Sequence, residues 1–329
     1  MTPTSRRSFL RGACAFGAAS SLAGCMTAGQ EAKAGPASSG KGFFASRGLP
    51  IGIQLYTLGD LIRTDLDGTL KKTAEIGYKT VEMAGYAGKT PAQLKTSFDA
   101  AGLSCTSAHV PIRVGTTEEP GLLGDLNKLA DDMHTVGAKH VIAPALAAPT
   151  DITLTPPPEG AAGLARLAAA MTEDHWKRQA AQLNSIGAKL KTHDIAFGYH
   201  NHNIEFVTVN GRTGYEILLA ETDPRFVAFE MDIGWVAAAG ADLVQLFQKH
   251  SGRFGLAHLK DLKATTTPNF EFKMDPTEVG SGELDWARIL PAAYKAGVRK
   301  FFVEQEAPFA FPRLESAEKC YAFLSTLKA

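Results

Sequence analysis

The chain has 329 residues, 45% of them hydrophobic, with 34 basic and 34 acidic side chains. That length supplies a large core, and the balanced charge gives no reason to expect nucleic acid or an anionic membrane surface as a partner. No apolar run is long and clean enough to cross a bilayer as a mature helix.

The N-terminal stretch reads as an address rather than as fold. Ser5-Arg6-Arg7-Ser8-Phe9-Leu10-Arg11 is followed by a short Ala/Gly-rich stretch and then by Leu22-Ala23-Gly24-Cys25. The first element resembles a twin-arginine export signal. The second resembles a lipobox, cleaved before Cys25 with a lipid placed on its thiol. Residues 1–25 are therefore expected to be a leader, residues 26–48 a flexible tether rich in Gly, Ala, Ser and Lys, and residues 49–329 the folded domain. Export to the periplasm follows, with membrane contact only through the lipid anchor at Cys25. Cys105 and Cys320 lie far apart in sequence and are expected as buried free thiols.

From residue 50 the text alternates. Short apolar or β-branched runs appear at 51–56, 79–84, 105–111, 140–146, 195–202, 226–232, 255–260 and 300–306. Segments with helical spacing and recognisable ends lie between them. Thr90-Pro91 opens one, with Leu94 and Phe98 on its stripe and Gly102 as its stop. Leu126, Leu129 and Met133 form another, closed by Gly137. Trp176, Ala180, Leu183, Ile186 and Leu190 make a longer one. Asp285-Trp286 opens a helix that Gly297 ends, and Leu314, Cys320, Phe323, Leu324 and Leu327 mark the last. Two intervals carry insertions, Ala147–Gly163 and Lys263–Gly280, and both follow a strand directly. Eight such units predict an α/β protein, a single (β/α)8 TIM barrel, with both insertions on its catalytic rim. A doubly wound open sheet is the lesser reading, because no Gly-x-Gly-x-x-Gly follows the first strand.

In a barrel of this kind the active site lies at the C-terminal strand ends. The strand ends here carry Gln54 and Tyr56, Glu82, His109, His200 and His202, Glu230 and Asp232, His258 and Lys260, Glu304 and Glu306. Residues two apart in a strand share a face, so His200 and His202 point together and Asn201 points away. His134, His140, His175, His193 and His250 fall on helix or linker patterns and are read as solvated or hydrogen-bonded. A pocket lined by so many metal-capable side chains suits a divalent ion.

At these residues the chain resembles the sugar phosphate isomerase/epimerase superfamily, the xylose isomerase-like barrels. The phrases are Gln54-Leu-Tyr-Thr57, Tyr199-His-Asn-His202 with Glu205-Phe206, Asp232-Ile-Gly-Trp235, His258-Leu-Lys-Asp261, Gly280-Ser-Gly282 before Asp285-Trp286, and Val303-Glu-Gln305. The resemblance implies one divalent ion (manganese, zinc, cobalt or magnesium) on Asp232, His258 and Glu304. His200 stands where many members have the fourth ligand, a glutamate, and His202 competes for that role or contacts substrate. A mixed nitrogen and oxygen set suits zinc, manganese or cobalt better than calcium.

The missing glutamate argues against a two-base epimerisation. The reaction implied is proton abstraction beside a carbonyl, as isomerisation, epimerisation or β-elimination from a 3-keto-glycoside. Glu304, Lys260 and His109 would move protons. Glu82, His202, Tyr56 and Trp235 would contact the carbohydrate, while Glu230 and Glu306 would orient ligands. Gly280-Ser-Gly282 is read as a turn, not a phosphate cradle. Export favours a small non-phosphorylated carbohydrate over a sugar phosphate, and a homo-oligomer stays open. The other class of reading is an exported sugar-binding protein without catalysis.

Overall fold

Eight parallel strands close on themselves in a computed structural model that describes residues 40–116 and 118–329. They are β1 (Gly52–Gln54), β2 (Thr80–Ala84), β3 (Ser104–His109), β4 (His140–Ala143), β5 (Ala196–His200), β6 (Ala228–Asp232), β7 (Phe254–Leu259) and β8 (Lys300–Val303). Each strand pairs with its neighbours in sequence, and β8 pairs with β1 to complete the ring. The expected single (β/α)8 barrel is present. Several strands stop before the apolar text does. Tyr56 falls in a short turn of helix, Leu55–Leu58, and His202 lies in irregular chain before Ile204–Phe206. There the backbone leaves the ladder, with Tyr56 exposed and His202 half-buried.

Local chemistry sets the helix ends, among them those expected at Thr90, Gly102 and Asp285. Thr90 and Gln93 form a reciprocal capping box on Pro91–Ala101, and Gly102 closes that helix at φ 71°. Asp125 caps Leu126–Val136, Thr172 caps Glu173–Lys191, and Asp285 caps Trp286–Ala296. Each cap gives an acceptor to amides that have no intrahelical partner.

Strand alternation divides the core in two. Outward residues such as Ile53, Val81, Val141, Phe197, Phe229, Ala257 and Phe301 join the large cluster between barrel and helices. Ile142, Leu256 and Phe302 form a separate cluster that packs inside the ring. That interior is full: a Cβ on Gly52 would lie 2.5 Å from the Phe302 ring. Two residues further along the same faces come His258 and Glu304, so an apolar floor supports the polar layer above it.

Three expectations need correction. The tether read over 26–48 ends sooner among the described residues, because Phe43–Arg47 is a helix with Phe43 and Phe44 buried. Phe44 sets its ring edge-on to Phe301, and the Phe43 amide donates to the Leu327 carbonyl at 2.7 Å. Hydrophobic burial has recruited this segment to the barrel. The Ala147–Gly163 insertion does not line the central cavity. Its Asp151 instead pairs at 2.7 Å with Arg178 on the helix Glu173–Lys191. The other insertion does reach the site, and its base is fixed where Asp261–Leu262 pairs with Pro276–Thr277. The strand ends, finally, are shorter than the apolar runs, as described above. Cys105 and Cys320 are free and buried. The twin-arginine and Cys25 motifs lie outside the described residues, and no helix among the described residues is long and apolar enough to cross a membrane.

Candidate metal centre

Adjacent strands bring the predicted side chains together in pairs. His200 on β5 stands beside Glu230 on β6, and Asp232 on β6 stands beside His258 on β7. Gly234 makes room for the next residue inward, since a Cβ there would lie 2.8 Å from Lys260 Cγ. His200, Asp232, His258 and Glu304 are all buried, and each offers a ligand atom within 4.8 Å of the others. Two imidazoles and two carboxylates, shielded from water, fit a divalent transition-metal ion. Of the two histidines left competing for the fourth place, this grouping contains His200 and not His202.

Lys260 is the centre of the charge pattern. Its Nζ lies 2.8 Å from Asp232 Oδ2, 2.9 Å from Glu304 Oε2 and 2.6 Å from Glu306 Oε1. Burial works against the ammonium charge, but Asp232, Glu304 and Glu306 outweigh it and hold its pKa well above the ordinary value. Burial likewise opposes the Glu304 charge, and Lys260 and His258 outweigh it, so Glu304 stays a carboxylate. Glu304 is therefore in the form of a base.

His109 is in the opposite state. Burial disfavours its charge, yet Glu82 and Glu230 raise its pKa to about 9. At neutral pH it is an acid or donor, one of the two directions in which it was expected to move protons. His200 is kept neutral, first by burial and then by the nearby His258, which is the form that ligates metals.

An opening of about 430 Å³ reaches this layer and is lined by Tyr56, His109, Arg113, Glu119, His200, His202, Phe272, Glu304 and Glu306 among others. Tyr56 and His202 sit where substrate contacts were expected. Glu82 and Trp235 do not line it. Glu82 is fully buried, accepting from Gln54 Nε2 at 2.8 Å and lying 2.7 Å from His258 Nε2, so it orients an imidazole. Trp235 is also buried and donates its indole N–H to Glu306 at 3.2 Å. Lys260, too, is enclosed by its carboxylates. Glu230 lies against three imidazoles, a fuller version of its expected orienting role.

The sequence reading missed the roles of four residues. Arg113 and Glu119 come from the loop after β3, whose Pro111, Gly115, Pro120 and Gly121 were an available sign of a structured turn. Phe272, from the Lys263–Gly280 insertion, sits 4.3 Å from His202 between ring centres at φ 61°. Asn201 accepts from the Asp232 amide at 3.1 Å and so fixes the start of that side chain.

Residues 70–323 match the family described as xylose isomerase-like TIM barrel. An inosose dehydratase of Geobacillus thermodenitrificans is 28% identical over 156 residues, 43% of this chain and 51% of that protein. The match thus spans about half the length of this curated relative. A solved sugar phosphate isomerase/epimerase of Parabacteroides distasonis is 26% identical with a TM-score of 0.65, covering 84% of this chain and 97% of the other. A second structure of that description from the same organism has a TM-score of 0.66 at 24% identity, covering 89% and 96%, and supports the fold.

Proposed function

The chain belongs to the xylose isomerase-like TIM barrel family, and from that premise we propose that it is an enzyme that moves a proton from a carbon beside a carbonyl of a small carbohydrate. The observation that carries this reading is Glu304. It lines the cavity, is held as a carboxylate by Lys260 and His258, and stands among the metal-capable residues. A divalent ion held by His200, Asp232, His258 and Glu304 would supply a Lewis acid to polarise the carbonyl oxygen. Glu304 would take the proton, while His109, protonated and facing the same cavity, would donate one to the departing or newly formed oxygen. Tyr56, His202 and Glu306 would position hydroxyl groups.

The charges of the lining favour a neutral substrate. Glu119, Glu304 and Glu306 face the cavity with Arg113 as its one arginine, an arrangement that repels phosphate. The name of the inosose dehydratase relative supports elimination over epimerisation, as does His200 in place of a second carboxylate. A keto-sugar or keto-glycoside losing water or an aglycone is thus the substrate we favour. Export by the twin-arginine route and anchoring at Cys25 belong to the same proposal, supported by Arg6-Arg7 and Leu22-Ala-Gly-Cys25.

Full-length protein with added manganese or zinc, incubated in D₂O with keto-sugars and 3-keto-glycosides, tests the chemistry. The expected result is deuterium at one sugar carbon or release of the leaving group, lost in Glu304→Gln by at least about 100-fold. Binding without any turnover overturns the enzyme reading, and turnover indifferent to Glu304 overturns proton abstraction by that residue. The first outcome would favour a sugar-binding protein.

A further inference from the structure

Deeper in the barrel is a second constellation. His109, His200, Glu230 and His258 also offer ligand atoms that lie within 4.8 Å of one another. Glu230 Oε2 is 2.8 Å from His109 Nε2, 3.2 Å from His200 Nδ1 and 3.1 Å from His258 Nε2. Donors around a tetrahedral zinc ion, with bonds of about 2.0–2.1 Å, stand about 3.3 Å apart. The three distances from this oxygen to imidazole nitrogens are close to three of the six edges of such a tetrahedron. The other oxygen, Glu230 Oε1, is buried and has no hydrogen-bond partner. Glu82 competes for the same nitrogens, but Gln54 gives its carboxylate a separate donor if they turn to an ion.

The set formed with Asp232 and Glu304 differs in two ways. His200 Nε2 and His258 Nδ1 lie 3.7 and 3.8 Å from Asp232 Oδ2, and the Lys260 ammonium already joins the two carboxylates. The two sets also use opposite nitrogens of the same two rings. His200 turns Nδ1 to Glu230 and Nε2 to Asp232, while His258 turns Nε2 to Glu230 and Nδ1 to Glu304. A neutral imidazole has one lone pair in the ring plane to give.

We propose that His109, His200, Glu230 and His258 form a second metal position, preferred by zinc and exclusive of the outer one. Three imidazoles and one carboxylate favour zinc, whereas the outer set, with two carboxylates, suits the harder manganese or magnesium. The identity of the ion then decides its depth in the barrel. Zinc in the deeper position would leave Lys260 between Asp232 and Glu304 and would block the outer ion. The inference rests on the reading of this layer as a metal centre.

Metal-free full-length protein, titrated separately with Zn²⁺ and Mn²⁺ by calorimetry or a competing chelator, tests it. His109→Ala is expected to weaken Zn²⁺ binding by at least about 10-fold while leaving Mn²⁺ affinity within about 2-fold, because His109 belongs only to the zinc set, with Asp232→Asn doing the reverse. Zinc-edge absorption of the wild type, which does not depend on a variant folding, should report three imidazoles. A zinc shell with two imidazoles, or equal losses for both ions in every variant, overturns the second position and leaves a single centre standing. A wild type that binds neither ion overturns this inference and the metal reading together.

Discussion

Lys260 Nζ stands 2.8 Å from Asp232 Oδ2, and the same ammonium lies 2.9 Å from Glu304 Oε2. A protein cation therefore joins two of the carboxylates to which a metal ion would bind. Replacing it by an apolar side chain leaves two buried acids without a partner, which costs roughly 3–5 kcal/mol. Lys260→Met should accordingly lower the melting temperature in chelator, and Mn²⁺ should restore much of the loss by supplying the missing positive charge. Equal melting temperatures for variant and wild type in chelator would contradict this account.

Glu205 gives a pH dependence set first by burial, with the nearby Asp232 carboxylate pushing the same way. It is fully buried and accepts from Tyr199 Oη at 2.6 Å and from the His202 amide at 2.8 Å. Burial outweighs both bonds and raises its pKa from 4.5 to about 7. The native state then holds a proton that the unfolded state has lost, so this group's contribution to stability falls as pH rises between those values. Over that window Glu205→Gln should gain stability relative to wild type by about 3 kcal/mol. Urea unfolding of both proteins at pH 4.5 and 8 measures it; a difference that does not vary with pH would remove the claim.

Asp261 organises the chain that leaves β7. Its carboxylate accepts from the Gly280 amide at 2.9 Å, the Gly282 amide at 3.3 Å and Trp286 Nε1 at 2.7 Å. These bonds show why Gly280-Ser-Gly282 is a turn and not a phosphate cradle, because its amides are already engaged. Asp261→Ala leaves several buried donors unsatisfied, and each costs about 1–3 kcal/mol. The midpoint of urea unfolding should drop sharply, while Mn²⁺ affinity in the remaining folded protein should be retained. An unchanged midpoint would show that solvent replaces the carboxylate.

Cys25→Ala tests the anchor. The variant should appear in the soluble fraction of cells in which the wild type sediments with membranes, with the barrel folded in both. A wild type that is wholly soluble and keeps residues 1–25 would dismiss the lipid anchor.

By itself the sequence determined the eight-unit barrel, its helix ends and most members of the polar layer. Those features are local: apolar alternation identifies strands, Thr90 and Gly102 fix their own helix, and Asp232, His258 and Glu304 fall at the ends of apolar runs. Tertiary structure alone decided how the layer is wired. Glu82 looks like a rim residue in the text but turns into the barrel beneath His258, and Trp235 is buried against Glu306. Phe272 reaches His202 from an insertion, and Phe43 and Phe44 fold a segment whose composition suggests a tether. Strand register and side-chain rotamers across β2, β3, β5, β6, β7 and β8 set which nitrogen of His200 or His258 faces which carboxylate. No spacing within one strand records that choice, since each contact joins residues brought together by closing the ring.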